Sequence, residues 1–343
     1  MTEETLIGIS MGCPVGIGPE IILKFLSAFK PEGGPRPIVV GDLGVMARMA
    51  ELLGLAGEVR AWRPGDPCPA GPVWVWQPYG DELSLPPREL AWGRPTRATG
   101  LAMAACVEAA ARLTLSGGLA AMVTCPITKA ALRAAGYAYP GHTEMLAAWC
   151  GSNDYAMMMA GASLKVTLVT IHQALATVPG SLSEEAIARL IAITWRSLRE
   201  DFGVVRPRLA VAGLNPHAGE GGLFGDEEER LLAPAISQAR SKGWLVEGPL
   251  APDTVFAKAA GGQFDAVVCM YHDQGLIPFK LLHFEDGVNV TLGLPIVRTS
   301  VDHGTAYDIA GQGRANPASL RAAFLLAAEI ALRRRRLHSR GEG

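Results

Sequence analysis

The chain has 343 residues, in which 31 Lys and Arg nearly balance 33 Asp and Glu, so the formal net charge is -2 at pH 7. This balance excludes the broad basic field that attracts nucleic acid. Hydrophobic residues make up 49% of the chain, beside 40 Gly and 24 Pro; this composition is typical of a tightly turned α/β enzyme and excludes a disordered or fibrous chain. The length suffices for two domains or two lobes.

Three local features predict a cytoplasmic protein with no membrane partner. The six cysteines form no CxxC pair and no metal-finger spacing, which is typical of reduced core thiols. The N-terminal MTEETLIGIS carries acidic residues and no basic segment before its apolar run, so it does not match a signal peptide. No uncharged apolar stretch reaches the roughly 18 residues that span a bilayer.

The first predicted strand, Leu6 to Ser10, leads through MGCPVGIGPE into a helix from about Ile21 to Phe29. The glycines at 12, 16 and 18 do not have the GxGxxG spacing of the dinucleotide fingerprint, and no Walker lysine follows. A tight turn between strand and helix is therefore favoured over a phosphate cradle, although a helix start can hold a phosphate.

Farther along, Thr99 to Leu115 is an Ala-rich helix whose nearly continuous apolar face predicts burial, and Ala120 to Thr124 is a strand. The segment YPGHTEMLA then places His142 in a turn, with Thr143 as the expected N-cap of a helix. A helix start beside His and Thr suits an anionic substrate group. A well-capped helix with a surface histidine is an equally good interpretation.

Three apolar, β-branched runs each deliver a histidine near the end of a predicted strand. The pairs are Lys165 to Ile171 with His172, Leu209 to Ala212 with His217, and Asp265 to Tyr271 with His272 and Asp273. Ligands bind outside the carboxyl ends of strands in open α/β sheets, so these side chains are expected to converge. Three neutral imidazoles with an open fourth position are typical of a catalytic metal site. We favour that prediction over loop histidines bonded to backbone.

Other residues extend this hypothesis without deciding the reaction. The segment EGPLAPDTVF is expected to end a strand at Asp253, a further carboxylate for the site. Lys280, Arg298 and the turn at His142 and Thr143 supply cationic or donor groups for an anionic ligand. A metal with an open position suits a hydrolase that activates water equally well.

Five ordered motifs give the chain a resemblance, over nearly its whole length, to the 4-hydroxythreonine-4-phosphate dehydrogenases of vitamin B6 biosynthesis, the PdxA family. They are GIGPE (16–20), PGHTE (140–144), GLNPHAGEGGLFG (213–225), YHDQGLIPFK (271–280) and GVNVTLGLPIVRTSVDHGTAYDIAGQG (287–313). One departure is visible, because relatives usually have Asp where this chain has Cys13. A thiol does not accept hydrogen bonds as a carboxylate does.

The resemblance implies the α/β fold of isocitrate and isopropylmalate dehydrogenases, with two α/β/α lobes and a cleft between them. Residues 1–125 together with 274–343 are expected to form the cofactor-side lobe, and residues 126–273 the lobe for metal, substrate and dimerisation. That fold binds NAD or NADP without the usual glycine motif, which fits the missing GxGxxG. The segment at 303–317 resembles the cofactor loop of isopropylmalate dehydrogenases, and the implied cofactor contacts are His303, Gly304, Thr305 and Asp308.

The resemblance also implies the other site residues. The implied metal ligands, for Zn, Mg or Co, are His172, His217 and His272. One of them is expected from the partner in a homodimer whose active site is shared between subunits. The implied contacts to a small phosphorylated substrate are His142, Thr143, Lys280, Asn289 and Arg298. The candidates for the base that takes the substrate proton are Lys280, Asp273 and Asp253.

The implied activity is NAD(P)- and metal-dependent oxidation of 4-phosphohydroxy-L-threonine to 2-amino-3-oxo-4-phosphooxybutanoate, which decarboxylates to 3-amino-2-oxopropyl phosphate on the route to pyridoxine 5'-phosphate. A dehydrogenase for D-threonate or D-erythronate 4-phosphate in the same superfamily is the nearest alternative, since the same phosphate- and metal-binding residues serve it. A metal-dependent phosphatase is the alternative from another class, and it would release phosphate without NAD.

Overall fold

A computed structural model describes residues 5–30, 34–69, 71–339 and 341. The strands are β1 (Leu6–Ser10), β2 (Arg36–Val40), β3 (Val59–Ala61), β4 (Val73–Trp76), β5 (Ala121–Thr124), β6 (Ala156–Ala160), β7 (Lys165–Leu168), β8 (Arg208–Ala212), β9 (Leu245–Leu250), β10 (Ala266–Cys269), β11 (Val288–Leu292) and β12 (Arg298–Val301). The helices are α1 (Gly18–Ala28), α2 (Leu43–Leu52), α3 (Arg97–Leu115), α4 (Lys129–Ala134), α5 (His142–Trp149), α6 (Val178–Ser181), α7 (Glu184–Glu200), α8 (Ala233–Ser241), α9 (Pro252–Ala260), α10 (His272–Leu282) and α11 (Ala318–Ser339).

The chain forms two compact units. The first comprises Met1–Asn153 and Leu294–Ala331, and the second comprises Asp154–Gly293 and Leu332–Gly343. These bounds differ from the expected ones at 125 and 273. The helices α4 and α5 pack against α3, and so they belong with the first unit. Which unit holds the cofactor and which holds the metal remains a prediction.

The first unit is built on a parallel sheet with the strand order β3-β4-β2-β1-β5-β12. Helix α3 packs against β1, β2 and β5, and the rings of Phe25 in α1 and Phe324 in α11 lie 5.3 Å apart. In register, Ser10, Thr124 and Ser300 lie side by side on β1, β5 and β12. A row of hydroxyl side chains therefore crosses the end of the sheet where ligands usually bind.

Helix α3 is the one helix in the described part of the chain that is long and apolar enough, by length and composition alone, to cross a membrane. Over half of its apolar window, 56%, is buried inside the protein, and the buried residues include Met103, Cys106 and Val107. Such burial is typical of the core helix of a soluble protein, so this helix is weak evidence for a membrane span. The burial predicted from its apolar face is confirmed.

The second unit is built on a sheet with the order β11-β6-β7-β10-β8-β9, in which β6 runs antiparallel to β11 and β7 and the other pairs are parallel. Alternate residues of a strand face opposite sides. Val166 and Val267 pack in one core cluster with Phe279 of α10, whereas Thr167 accepts a hydrogen bond of 3.0 Å from Thr194 of α7. Helices therefore cover both faces of this sheet, and the predicted α/β class is confirmed.

Candidate active site

Two of the predicted metal ligands lie close together in the second unit. The strands β7, β10 and β8 are parallel neighbours, so their carboxyl ends meet at one edge of the sheet. His172 follows β7, and His272 is the first residue of α10, which follows β10. The centroids of the two rings are 5.6 Å apart. The strand-end argument thus brings these two side chains to one place.

The third histidine, His217, lies in an exposed turn that follows β8. Its backbone is left-handed, with φ of 52°, and so is that of Ala218 and Glu220, with φ of 55° and 44°. Its ring contacts Phe224, with 6.4 Å between centroids. No three His, Cys, Asp or Glu side chains within the described ranges come close enough to hold a metal ion. The described part of the chain therefore does not bring His172, His217 and His272 together as one metal-binding group.

The three candidates for the base lie in different settings. Asp273 is exposed, and its Oδ1 lies 2.6 Å from Nδ1 of His272. Lys280 is half-buried in α10, with its Nζ 5.9 Å from the ring centroid of Phe284. Asp253 was expected at the end of a strand, and this prediction is wrong. It lies exposed in the first turn of α9, after Pro252 has opened that helix.

In the first unit, Arg298 forms the centre of a buried cationic site. It begins β12, and its side chain is almost wholly inaccessible, with 2% of its surface exposed. Its Nε and Nη2 donate to Oγ1 of Thr124 at 3.2 and 2.7 Å. Burial lowers the pKa of Arg298 to about 9, and the negative charge of Glu144 opposes that shift. A buried guanidinium of this kind favours an anion as its ligand.

His142 begins α5 close to this guanidinium. The N-cap of the helix is Gly141 and no side chain caps it, so the prediction of Thr143 as the N-cap is wrong. Burial, followed by the positive charge of Arg298, holds the pKa of His142 well below its usual value, which makes the imidazole neutral at pH 7. Its Nε2 is buried without a hydrogen-bond partner.

In the second unit, Oδ1 of Asn289 is likewise buried without a hydrogen-bond partner. An unsatisfied buried polar atom costs about 1–3 kcal/mol, so such atoms mark positions where a polar ligand binds favourably. Both unpartnered atoms belong to residues that the family resemblance implies for substrate binding.

The predicted cofactor residues form a loop in the first unit that packs on the GIGPE turn. The backbone O of Thr305 accepts a hydrogen bond from the N–H of Ile17 at 3.1 Å. A Cβ added at Gly16 would lie 3.1 Å from the same oxygen, which is a tight contact, so a side chain here would push the two segments slightly apart. His303 Nδ1 lies 3.1 Å from the O of Gly304, and the O of Asp308 accepts from Gln312 at 2.7 Å.

Glu20 fixes the far end of that loop, a role that no local sequence pattern predicts. Its carboxylate is fully buried and accepts hydrogen bonds from the N–H groups of Gly313 and Ala315 at 3.2 and 2.7 Å. Lys24, one helical turn later, pairs with the carboxylate at 3.0 Å and donates to both backbone oxygens of the same residues. The two charged side chains together hold residues 313–315 against α1.

Comparison with known proteins identifies the family. The family model for the pyridoxal phosphate biosynthetic protein PdxA matches residues 34–327. The chain belongs to the PdxA family. A 4-hydroxythreonine-4-phosphate dehydrogenase from Desulfosudis oleivorans is 56% identical over 340 residues, which cover 96% of this chain and 97% of that protein. The resemblance that the five motifs carry is therefore confirmed.

Two further similar proteins bear on the substrate and on the fold. A D-threonate 4-phosphate dehydrogenase from Salmonella typhimurium is 46% identical over 330 residues, covering 96% of this chain and all of that protein. The 1.25 Å crystal structure of a 4-hydroxythreonine-4-phosphate dehydrogenase from Klebsiella pneumoniae superposes with a TM-score of 0.86 at 44% identity, covering 96% of this chain and 98% of that one.

Proposed function

We propose that this protein is an NAD(P)- and divalent-metal-dependent dehydrogenase that oxidises 4-phosphohydroxy-L-threonine to 2-amino-3-oxo-4-phosphooxybutanoate. The product is a β-keto acid and loses CO2 to give 3-amino-2-oxopropyl phosphate, a step towards pyridoxine 5'-phosphate. The observation that carries the proposal is membership of the PdxA family, with 56% identity over nearly the whole chain to a relative of that name.

The phosphorylated substrate is proposed to bind through Arg298, His142, Thr143, Asn289 and Lys280. Support comes from the buried guanidinium of Arg298 and from the unpartnered Nε2 of His142 and Oδ1 of Asn289. A planar guanidinium and an ammonium group suit a phosphate dianion. A neutral imidazole offers one donor and one acceptor, so it is able to orient a hydroxyl or amino group beside that phosphate.

The proposed metal ligands are His172, His217 and His272. Three imidazoles with an open position suit a catalytic divalent ion such as Zn, Mg or Co. The carboxylate of Asp273, 2.6 Å from Nδ1 of His272, fixes the tautomer that leaves Nε2 for the metal. A divalent ion bound there supplies Lewis acidity that lowers the pKa of the substrate hydroxyl.

We further propose a homodimer in which one of the three histidines comes from the partner subunit. Large apolar side chains are exposed on the same loops and helix as the histidines, although single chains rarely expose so many together. These side chains are Leu175, Leu223, Phe224, Ile277, Leu281, Leu282 and Phe284. Leu281 and Phe284 are 84% and 76% exposed. Covering these residues with a second copy would bury them and bring a further histidine to each site.

In the reaction, the C3 hydroxyl gives its proton to a base, and the C–H bond of C3 gives its hydride to the nicotinamide of NAD or NADP, which leaves a C3 carbonyl. Lys280, Asp273 and Asp253 are the candidates for the base. The loop from His303 to Asp308, held by the GIGPE turn, is proposed to bind the adenosine half of the cofactor. The free state of all six cysteines supports a cytoplasmic location.

A second substrate has specific support, because the relative from Salmonella typhimurium at 46% identity is named for D-threonate 4-phosphate. The deciding experiment follows reduced-nicotinamide absorbance with 4-phosphohydroxy-L-threonine, D-threonate 4-phosphate or D-erythronate 4-phosphate, each with NAD or NADP. Every reaction is run with added metal and with a chelator, and released phosphate is measured in parallel.

We expect metal-dependent reduction with 4-phosphohydroxy-L-threonine and no release of phosphate. Turnover of only D-threonate 4-phosphate or D-erythronate 4-phosphate would show that this compound, and not 4-phosphohydroxy-L-threonine, is the substrate. Phosphate release without nicotinamide reduction would establish a phosphatase instead. Activity that survives both chelation and the substitution His217→Ala would refute the role of the metal.

A further inference from the structure

Backbone strain is concentrated in the turn that carries His217. Among the described non-glycine residues, four have a positive φ, and three of them are His217, Ala218 and Glu220. Gly219, between them, has φ of 79°. L residues rarely adopt this conformation, and it persists only where the surrounding structure holds it. Something outside the turn must therefore fix it.

One support comes from Glu228, in the π-helical turn Glu228–Leu232. Its buried carboxylate accepts hydrogen bonds from the N–H and the Nδ2 of Asn215 at 2.7 and 2.9 Å. A Cβ added at Gly219 would lie 2.8 Å from Oε2 of Glu228, so the turn packs directly on this carboxylate. Glu228 thus holds the turn from one side.

The second support is Gln274, which lies in the first turn of α10, two residues after His272. Its amide side chain is buried, and both ends of it are used. Oε1 accepts from the N–H of Met270 at 2.7 Å, and Nε2 donates to the O of Gly213 at 2.6 Å. Backbone pairing between β10 and β8 ends at Val268 and Val211. Gln274 therefore continues the connection between these two strands beyond the end of their ladder.

Gly213 transmits this contact to the strained turn. A Cβ added at Gly213 would lie 2.8 Å from Cα of Ala218, so the turn lies directly over this residue. On the other side, Thr170 donates its N–H and its hydroxyl to the O of Met270 at 3.2 and 2.8 Å, which connects the segment leading to His172. All three histidine-bearing segments are thus joined through Met270 and Gln274.

We infer that Gln274 is a positioning residue that holds the His217 turn in register with the start of α10 and so fixes where this chain presents the proposed metal ligands His217 and His272. The expected effect on metal binding rests on the proposed function, in which these histidines bind a divalent ion. A bridging amide fits the position because it accepts from one strand and donates to the next at once. No substitution by a purely apolar side chain preserves both bonds.

The test compares Gln274→Met, which keeps the length of the side chain and removes both hydrogen bonds, with Asp265→Ala. Asp265 is a matched control, since its Oδ2 accepts from the N–H of Arg208 at 2.7 Å and so bridges β10 and β8 at their opposite ends. Both full-length variants are titrated with Co²⁺, whose visible absorbance reports binding. Thermal unfolding is measured alongside.

We expect Gln274→Met to weaken Co²⁺ binding by about 10–100-fold, as is typical for residues that orient metal ligands. Asp265→Ala should bind Co²⁺ like the unmodified protein, although both variants melt earlier. Equal weakening in both variants, or unchanged binding in Gln274→Met, would overturn the inference.

A different outcome separates the inference from the proposed function. If the unmodified protein binds no Co²⁺, the metal in the proposed function fails, and hydrogen exchange of the amides at 214–220 then decides the role of Gln274. Faster exchange there in Gln274→Met than in Asp265→Ala supports the positioning role, and equal exchange overturns it.

Discussion

Replacing Thr124 with Val removes the acceptor that holds the buried guanidinium of Arg298 and keeps the shape of the side chain. Oγ1 of Thr124 accepts from Nε at 3.2 Å and from Nη2 at 2.7 Å, and both residues are almost fully inaccessible. A hydrogen bond to a charged group contributes about 1.5–3 kcal/mol. Because the 2.7 Å bond is the stronger of the two, we expect Thr124→Val to lower the free energy of unfolding by about 2–3 kcal/mol.

Thr124→Val should also weaken substrate binding, because the Arg298 guanidinium loses the two hydrogen bonds that fix its orientation. A loss of about 1.4 kcal/mol corresponds to a tenfold change in affinity. We therefore expect KM for the phosphorylated substrate to rise about tenfold or more, with a smaller effect on kcat, since the phosphate is bound in both the ground and the transition state.

Two controls isolate the role of the hydroxyl. Thr124→Ser keeps the acceptor and should retain most of the affinity. Ser300→Ala removes a neutral bond of 3.1 Å to the backbone O of Thr124, which should cost about 0.5–1.5 kcal/mol in unfolding and leave KM unchanged. Urea unfolding and steady-state kinetics measure both quantities. Normal stability and normal KM in Thr124→Val would refute the reasoning.

Three further outcomes are expected. Burial holds the pKa of His142 well below 6.5 in the folded protein, so only the unfolded chain takes up a proton there as the pH drops below about 6.5. The free energy of unfolding therefore falls with the pH in that range. In urea titrations, His142→Gln should reduce this slope by up to about 1.4 kcal/mol per pH unit. Leu281→Asp should yield monomers in sedimentation, whereas Val205→Asp, at the same exposure of 84%, should not; monomers from both would contradict the proposed interface. Gly275→Ala puts a Cβ 2.9 Å from a core side chain and should lower the free energy of unfolding by about 1–3 kcal/mol. At Gly180 an added Cβ meets nothing within 4 Å, so Gly180→Ala should leave that free energy unchanged. An equal loss in both variants would contradict this expectation.

The local sequence pattern was sufficient to predict those parts of the candidate site that a strand or the end of a strand positions. The apolar runs before His172 and His272 predicted the strands β7 and β10, and the two rings do lie near each other. Thr143 was predicted as the N-cap because Ser and Thr commonly cap helices, but the helix has its N-cap two residues earlier, at Gly141. The strand predicted to end at Asp253 ends instead at Leu250, because Pro252 is favourable in the first turn of a helix and opens α9 there.

The roles of Thr124, Glu20 and Gln274 were beyond sequence reasoning for a different reason. Each acts on a partner 61 or more residues away, 174 for the Thr124–Arg298 pair, and that partner is fixed by the order of strands in the sheet or by the packing of a loop on a helix. Nothing in a local window distinguishes a bridging Gln from a solvated one.

Cys13 stands where relatives usually have Asp, and the structure shows which groups an aspartate at this position would contact. The thiol is buried, and its Sγ lies 3.3 Å from the hydroxyl of Tyr307. Burial raises the pKa of Cys13, while hydrogen bonds from Tyr307 and from the N–H groups of Val15 and Gly16 act in the opposite direction. The hydroxyl of Tyr307 and the N–H groups of Val15 and Gly16, which are able to donate, therefore lie close to a thiol that is a weak acceptor.

A carboxylate at this position would meet the same three donors, which favour its charged form, and the same burial, which opposes it. For the thiol, burial is the larger effect and its pKa is raised. Hydrogen bonds to an ionised carboxylate are about twice as strong as neutral ones, so we expect the donors to prevail in Cys13→Asp and the pKa of the introduced carboxyl to fall below its unfolded value of about 3.9. The stability it contributes is then present above that pH and is lost as the pH falls through the folded pKa. In urea titrations at pH 7, the free energy of unfolding of Cys13→Asp should accordingly be larger than that of Cys13→Ala. The difference between the two free energies should shrink below about pH 4. A gap that widens as the pH falls would mean that burial outweighs the donors, and that this turn is built for a neutral side chain.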